Sequence, residues 1–231
     1  MQGNPQASSY TRTRNRFNKS TAAAKYAVRH HGNPRDRREQ RCIVAALQGV
    51  PHGSRVLDLP CGVGRLASIL VANGFLVTGA DSSSHMIELA QQGWRTHCRN
   101  SPGLAGKAQF EVQDIMGTSF EDQQFDAVIS NRLFHHFIEP AVRQAALKEL
   151  RRISAGPVIV SFFNSFSLES IRLGILRRFF HKFPRDRIPI TVSRFAAEGQ
   201  AAGLELEKVI ATRWGISPQC YAVFRPEAVR P

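Results

Sequence analysis

The chain has 231 residues, 42% hydrophobic and 21% charged, which suits one domain with a full core. Its net charge is +13, yet no stretch approaches the roughly 18 consecutive apolar residues of a membrane span. Four scattered cysteines (Cys42, Cys61, Cys98, Cys220) form no C-x-x-C pair, so neither a zinc site nor a disulfide framework is indicated, and no metal is expected.

The charge is unevenly placed. Residues 1–41 hold ten Lys/Arg against two acids and residues 165–194 hold seven against two, while the rest balances at fourteen of each sign. Such patches attract nucleic acid, phosphorylated metabolites or acidic lipid, and the plain alternative is a solvated tail plus a solvated helix face. Residues 1–20 are polar, basic and without apolar periodicity, and read as a disordered tail ahead of a domain over 21–231. That start lacks the apolar run of a secretory signal, although its Arg- and Ser-rich composition loosely resembles an organelle transit peptide. The cysteine usage makes a reduced, cytoplasmic compartment the expectation.

Between Thr21 and Gln40 a helical tendency is broken by the turn "GNP" at 32–34. Alternation then begins. Strand-like "RVLDL" from Arg55 precedes helical "GRLASILVANG", stopped at Gly74. "FLVTGAD" is a second strand and "SSHMIELAQQGWRTH" a second helix, followed by a loop over 98–107. "AQFEVQDI" and "QFDAVISN" are further strands, and "EPAVRQAALKELRRIS" is a helix with Pro140 near its first turn. "GPVIVSFFN" is the fifth strand. Strands separated by such helices imply right-handed crossovers and a parallel sheet covered on both faces. The end of the chain reads differently: a helix closed by Gly203, then "LELEKVIATRW" and "QCYAVFRP", an antiparallel hairpin at the sheet edge.

The stretch "RVLDLPCGVGR" places Asp58 just before a Gly62-Val63-Gly64 turn and a helix. Glycines allow a close backbone approach to a ligand, and a helix N-terminus offers unpaired N–H groups. In a doubly wound sheet, ligands bind beyond the carboxyl ends of the strands. Asp58 is costly there unless it meets a cation or accepts hydrogen bonds. Asp81, twenty-three positions on, ends the second strand where an acid accepts both ribose hydroxyls of an adenosine, and Asp114 ends the third strand as an acceptor for an adenine amino group. The same glycines satisfy the dinucleotide pattern G-x-G-x-x-G/A, but a pyrophosphate is repelled by a carboxylate beside the turn. A ligand with a sulfonium and an α-ammonium suits Asp58 better. That favours S-adenosyl-L-methionine over NAD.

"VLDLPCGVGR", "VTGADSSSHMIELA", "FEVQDI" and "FDAVISNRLFHHF" resemble the successive motifs of the class I S-adenosylmethionine-dependent methyltransferases, over about residues 40–165. The resemblance implies an α/β, doubly wound, seven-stranded and mostly parallel sheet with helices on both faces and an antiparallel last strand. It also implies that Asp58, Pro60, Gly62 and Gly64 approach the cofactor's amino-acid portion and Asp81 its ribose. Ser82 and Met86 would flank the adenosine, Asp114 and Ile115 the adenine, and Asn131 would close the site. Tyr26 and Arg29, on a helix before the sheet, and Arg65 after the glycine turn are candidates for the cofactor's carboxylate.

His135 and His136 in "NRLFHHF" are the candidate bases, since histidine titrates near neutral pH; the bland role is shaping the loop. The same segment departs from the N/D-P-P-Y-type loop of adenine and amide methyltransferases. After strand five, a basic amphipathic insertion within 165–194 places Leu168, Ile171, Leu173, Ile175, Leu176, Phe179, Phe180 and Phe183 on one face, with Arg177, Arg178, His181 and Lys182 on the remainder. It reads equally as a lid packed on the protein or as a helix at an anionic membrane surface through 166–183. A small-molecule or lipid-like, bulky or anionic acceptor follows, for a cytoplasmic or peripheral membrane enzyme. An RNA-modifying methyltransferase and a non-catalytic cofactor-binding module are the rivals, and nucleic acid ranks second as a partner.

Overall fold

The structure, a computed structural model, describes residues 8–17, 34–179 and 188–227. Five short segments form parallel strands, and most of their side chains meet protein on one face or the other. They are β1 (Arg55–Asp58), β2 (Leu76–Asp81), β3 (Ala108–Val112), β4 (Ala127–Ser130) and β5 (Val158–Phe163). Successive residues serve opposite cores, as the period of two demands. Leu57, Val128, Val160 and Phe162 enter one core, while Val56, Ile129 and Ile159 enter the other.

Helices fill both faces. The first core is closed by α5 (Pro140–Ile153), through Ala146, Leu147 and Leu150, and by Phe195 of α7 (Val192–Gln200). The second is closed by Cys42, Ile43 and Ala46 of α2 (Pro34–Ala46) and by Ala67, Leu70 and Val71 of α3 (Ala67–Ala72). The helix α4 (Ser84–Asn100) packs on β2 and β3, and Ser83 caps it by accepting the Met86 N–H. A buried pair, Arg143 Nε to Glu198 Oε2 at 2.6 Å, ties α5 to α7.

β6 (Leu204–Ala211) and β7 (Gln219–Pro226) form the antiparallel hairpin, and β7 inserts between β5 and β6. The order β3-β2-β1-β4-β5-β7-β6 therefore reverses between β1 and β4. Because β7 is antiparallel to both neighbours, β6 runs with β1–β5. The carboxyl ends of six strands, and the β6–β7 turn, consequently share one edge.

Two expectations change. Within the stretch read as a disordered tail, Ser9–Phe17 form α1. Its hold is tertiary: the Ser9 hydroxyl donates to Glu139, the Tyr10 hydroxyl donates to Asp114, and the Tyr10 ring lies edge-on to Phe137. A composition-based reading is blind to such contacts. The loop expected over 98–107 is also shorter, since α4 runs to Asn100 and a 3-10 turn takes Pro102–Leu104. Of the insertion, α6 (Leu168–Phe179) is described as a helix. Its apolar positions Leu168, Ile171 and Ile175 face solvent, and Leu173 and Leu176 are half-buried.

Candidate active site

β1 ends on Asp58, which is 2% exposed, at the point where strand order reverses. Its Oδ1 is buried with no hydrogen-bond partner among the described residues. Burial, and then the nearby Asp81 carboxylate, push its pKa well above the usual carboxylate range. A carboxylate left this way destabilises the fold unless a cation or donor reaches it. A cationic ligand would relieve that cost.

The turn after Asp58 is shaped by its own hydrogen bonds. Cys61 N–H donates to the Ala80 carbonyl at 2.8 Å, and Gly62, at φ 55°, donates its N–H to Asp81 Oδ2 at 3.0 Å. The other Asp81 oxygen accepts the Ser83 N–H at 3.0 Å. Burial raises the Asp81 pKa, with those backbone donors opposing it. Gly64 differs from its expected role. It is absent from the wall of the cleft, and a Cβ there would lie 2.9 Å from the Phe110 ring and 3.2 Å from Ala90. This glycine lets the turn pack against β3 and α4.

Asp58 lies in the wall of a cleft of about 840 Å³, open solvent included. Pro60, Gly62, Arg65, Asp81, Ser82, Met86, Asp114, Ile115 and Asn131 share that wall. At the far end, Asp114 Oδ1 accepts the Met116 N–H at 3.0 Å, while its second oxygen accepts the Tyr10 hydroxyl, with Arg14 Nε 3.6 Å away. Burial, followed by the hydrogen bond to Asp114, pushes the Tyr10 pKa up to about 12, so Tyr10 remains a donor.

At the near end, Asn131 Oδ1 accepts the Tyr221 hydroxyl at 3.1 Å. Arg132 holds the left-handed φ of 60° and donates its N–H to Ser161 Oγ at 2.6 Å. Its guanidinium meets the fully buried Glu39 at 2.8 Å, where Arg65 and Arg35 also arrive, each at 3.3 Å. Arg65 pairs with Asp36 as well. Among the described residues, this end sets three guanidiniums against two carboxylates. The balance suits a carboxylate beside an ammonium held by Asp58.

Sequence reasoning missed Tyr10, Thr13 and Arg14 of α1, and Arg132, all of which line the cleft. Arg132 directly follows a named residue; the α1 set had no periodicity to announce it. Tyr26 and Arg29 lie outside the described residues. His135 and His136 are not in the wall. The His135 ring is buried and stacked on Phe163 at 4.2 Å and 8°, and His136 is half-buried with its ring 4.2 Å from that of His135. The insertion's return limb also meets this turn, since Ile188 N–H donates to the His135 carbonyl at 2.9 Å.

Residues 56–155 match the family described as a methyltransferase domain, spanning β1 through α5 and so the whole acidic edge of the cleft. Over that span, a little under half of its length, the chain is similar to the class I S-adenosylmethionine-dependent methyltransferases. It is 28% identical over 178 residues to a 2-methyl-6-phytyl-1,4-hydroquinone methyltransferase of Synechocystis sp., covering 74% of this chain and 52% of that protein. It is 36% identical over 101 residues to a sterol 24-C-methyltransferase of Gibberella zeae, covering 43% of this chain and 23% of that one. The chain thus spans about half, or less, of these curated relatives' length. Its fold is shared with the magnesium protoporphyrin IX methyltransferase of Synechocystis PCC 6803 with bound SAH (S-adenosylhomocysteine). That likeness has a TM-score of 0.72 and 20% identity, over 94% of this chain and 99% of the other.

The residues present fit the family's cofactor. S-adenosylmethionine supplies a methyl on a sulfonium. Asp58 carries the buried, unpaired acceptor that an α-ammonium needs, and the Arg65–Arg132 end carries matching cations for its carboxylate. Asp81 keeps its place at the end of β2 through the Gly62 and Ser83 amides, and Asp114 faces the cleft with Ile115. Among the described residues, no group of His, Cys, Asp and Glu is placed to hold a metal ion.

Proposed function

We propose that this chain transfers the methyl group of S-adenosylmethionine to a small-molecule or lipid-like acceptor. The observation that carries the reading is the orphaned Asp58 carboxylate at the strand-order reversal, facing a cleft that ends on Asp114. Methyl transfer is an in-line displacement, so holding sulfur, methyl and acceptor in line accounts for much of the rate. A cofactor held at both ends, by acids and arginines, would leave its methyl open to an acceptor arriving from the Asn131–Leu133 side. The acceptors named for the relatives, a phytyl hydroquinone, a sterol and magnesium protoporphyrin, are bulky and largely apolar, and they support the acceptor class.

His136 is the proposed base for an acceptor that loses a proton. Of the two histidines it has the greater exposure, whereas the stacked His135 fixes the turn. Calorimetry with S-adenosylhomocysteine tests the cofactor. Incorporation of labelled methyl into separated lipid, RNA and small-molecule fractions then tests the acceptor. The expected label is in lipid or small molecules. Label confined to RNA overturns the acceptor class, and cofactor binding without turnover on any fraction leaves a binding module.

A further inference from the structure

Most of the large apolar side chains that the structure exposes come from two segments on one edge. Phe166, Leu168, Ile171 and Ile175 belong to α6 and its approach, and Trp214 and Ile216 belong to the β6–β7 turn. Phe166 is 73% exposed and Trp214 90%. The segments are fastened together: Leu168 N–H donates to the Gly215 carbonyl at 2.9 Å, and Glu169 N–H donates to that of Ile216 at 3.2 Å. The α6 residues follow an i, i+3, i+7 spacing, which places them on one helix face. A soluble surface rarely gathers apolar side chains of this size in one place.

Charge indicates the occupant. Over residues 164–179 and 212–217, four arginines (Arg172, Arg177, Arg178, Arg213) stand against one acid, Glu169. Arg172 and Arg213 are exposed at the patch itself, where no carboxylate pairs with either among the described residues. An anionic lipid surface meets both features, because apolar side chains enter the acyl boundary while the headgroup potential attracts each arginine. Tryptophan favours that boundary. A second copy of the chain meets them poorly, since a two-fold contact sets these arginines against their own copies.

Position supplies the purpose. The β6–β7 turn and the start of α6 lie on the same sheet edge as the carboxyl ends of β1, β2 and β4, where the cleft opens. We infer that α6 and the β6–β7 turn together form a docking surface for an anionic bilayer, which turns the cleft's edge toward membrane-dissolved acceptor. This rests on the methyltransferase reading for the acceptor alone. The docking itself is independent of it.

The test is co-sedimentation of the full chain with phosphatidylcholine vesicles and with vesicles that also contain phosphatidylglycerol. Calorimetry with S-adenosylhomocysteine is run on the same preparations. The wild-type protein is expected to sediment with the anionic vesicles and to be released as salt rises. The pair Phe166→Ser and Trp214→Ser, and separately the pair Arg172→Glu and Arg213→Glu, each lower the partition coefficient by about tenfold or more, with S-adenosylhomocysteine affinity unchanged. Protein that binds S-adenosylhomocysteine yet stays in the supernatant overturns the docking surface. So does equal partition onto neutral vesicles, or a dimer that the Phe166→Ser and Trp214→Ser pair dissolves. Vesicle binding without S-adenosylhomocysteine binding leaves the docking surface standing and removes the cofactor reading instead.

Discussion

Asp58 sets up a conflict that substitution resolves in opposite directions for stability and for binding. Its buried carboxylate resists ionisation in the ligand-free protein, whereas the cofactor's ammonium requires it ionised. Asp58→Asn removes the charge and keeps the shape. It is expected to leave the melting temperature of the free protein unchanged or raised. It should also weaken S-adenosylhomocysteine binding by roughly 10- to 100-fold, the value of a hydrogen bond to a charged group. Calorimetry beside a thermal melt reads both, and wild-type affinity in the variant removes Asp58 from the site. The histidines divide similarly. His136→Ala is expected to lower kcat by about a hundredfold or more without changing cofactor affinity, as loss of a general base does. An unchanged kcat assigns His136 to loop shape. At this scale the sequence was most readable where chemistry and position coincide. Asp58 and Asp81 end their strands and Asp114 closely follows one, and a charge at a buried strand end has few bland explanations. Arg132, Tyr10 and Arg14 were not readable, because surface-type residues acquire meaning only from what faces them.

The parallel strands were legible from their apolar runs and the glycine stops between them, and the hairpin from its short connection. The element that escaped is α1. Its sequence "SYTRTRNRF" has no apolar stripe, and it is held in place by Ser9 on Glu139 and Tyr10 on Asp114, more than a hundred residues away. The Ser9 hydroxyl, ahead of smaller contributions, also keeps the Glu139 carboxyl below its ordinary range. Tyr10, Thr13 and Arg14 put this helix in the cleft wall beside Asp114. Removing residues 1–17 therefore takes away one side of the adenosine end and, of the first core, the Tyr10 ring at its margin, while the second core keeps its contacts. The expected result is S-adenosylhomocysteine dissociation accelerated by roughly tenfold, equivalent to one or two lost charged hydrogen bonds, with little change in melting temperature. Stopped-flow displacement measures the rate. An unaltered rate means that α1 does not cover the cofactor. The face of α6 was likewise legible as apolar from its spacing, but whether it turned inward or outward was not. Helical periodicity defines a stripe without saying what lies opposite it.

At the level of the whole molecule, the acids at the strand ends make stability and cofactor binding respond to pH with opposite sign. Asp58 and Asp81 have raised pKa values in the folded chain, so between the unfolded value near 4 and their folded values the unfolded state ionises first. The unfolded chain then binds fewer protons than the native one, and stability falls as pH rises through that window. Glu149 acts below it. Burial opposes its ionisation, but hydrogen bonds from Arg152 and Thr118 bring its pKa down to about 2, so its contribution is present above about 4.5 and lost as pH falls toward 2. As far as these three carboxylates govern it, ligand-free stability is greatest in mildly acidic solution. S-adenosylhomocysteine changes the balance, since its ammonium favours ionised Asp58 and its binding below the folded pKa releases a proton. The rise in melting temperature caused by saturating S-adenosylhomocysteine is thus expected to be larger at pH 8 than at pH 5, and the difference to vanish in Asp58→Asn. Calorimetric unfolding at both pH values, with and without ligand, measures this directly. An equal rise at the two pH values, in a protein that binds the ligand at both, would show that the ammonium lies elsewhere than on Asp58.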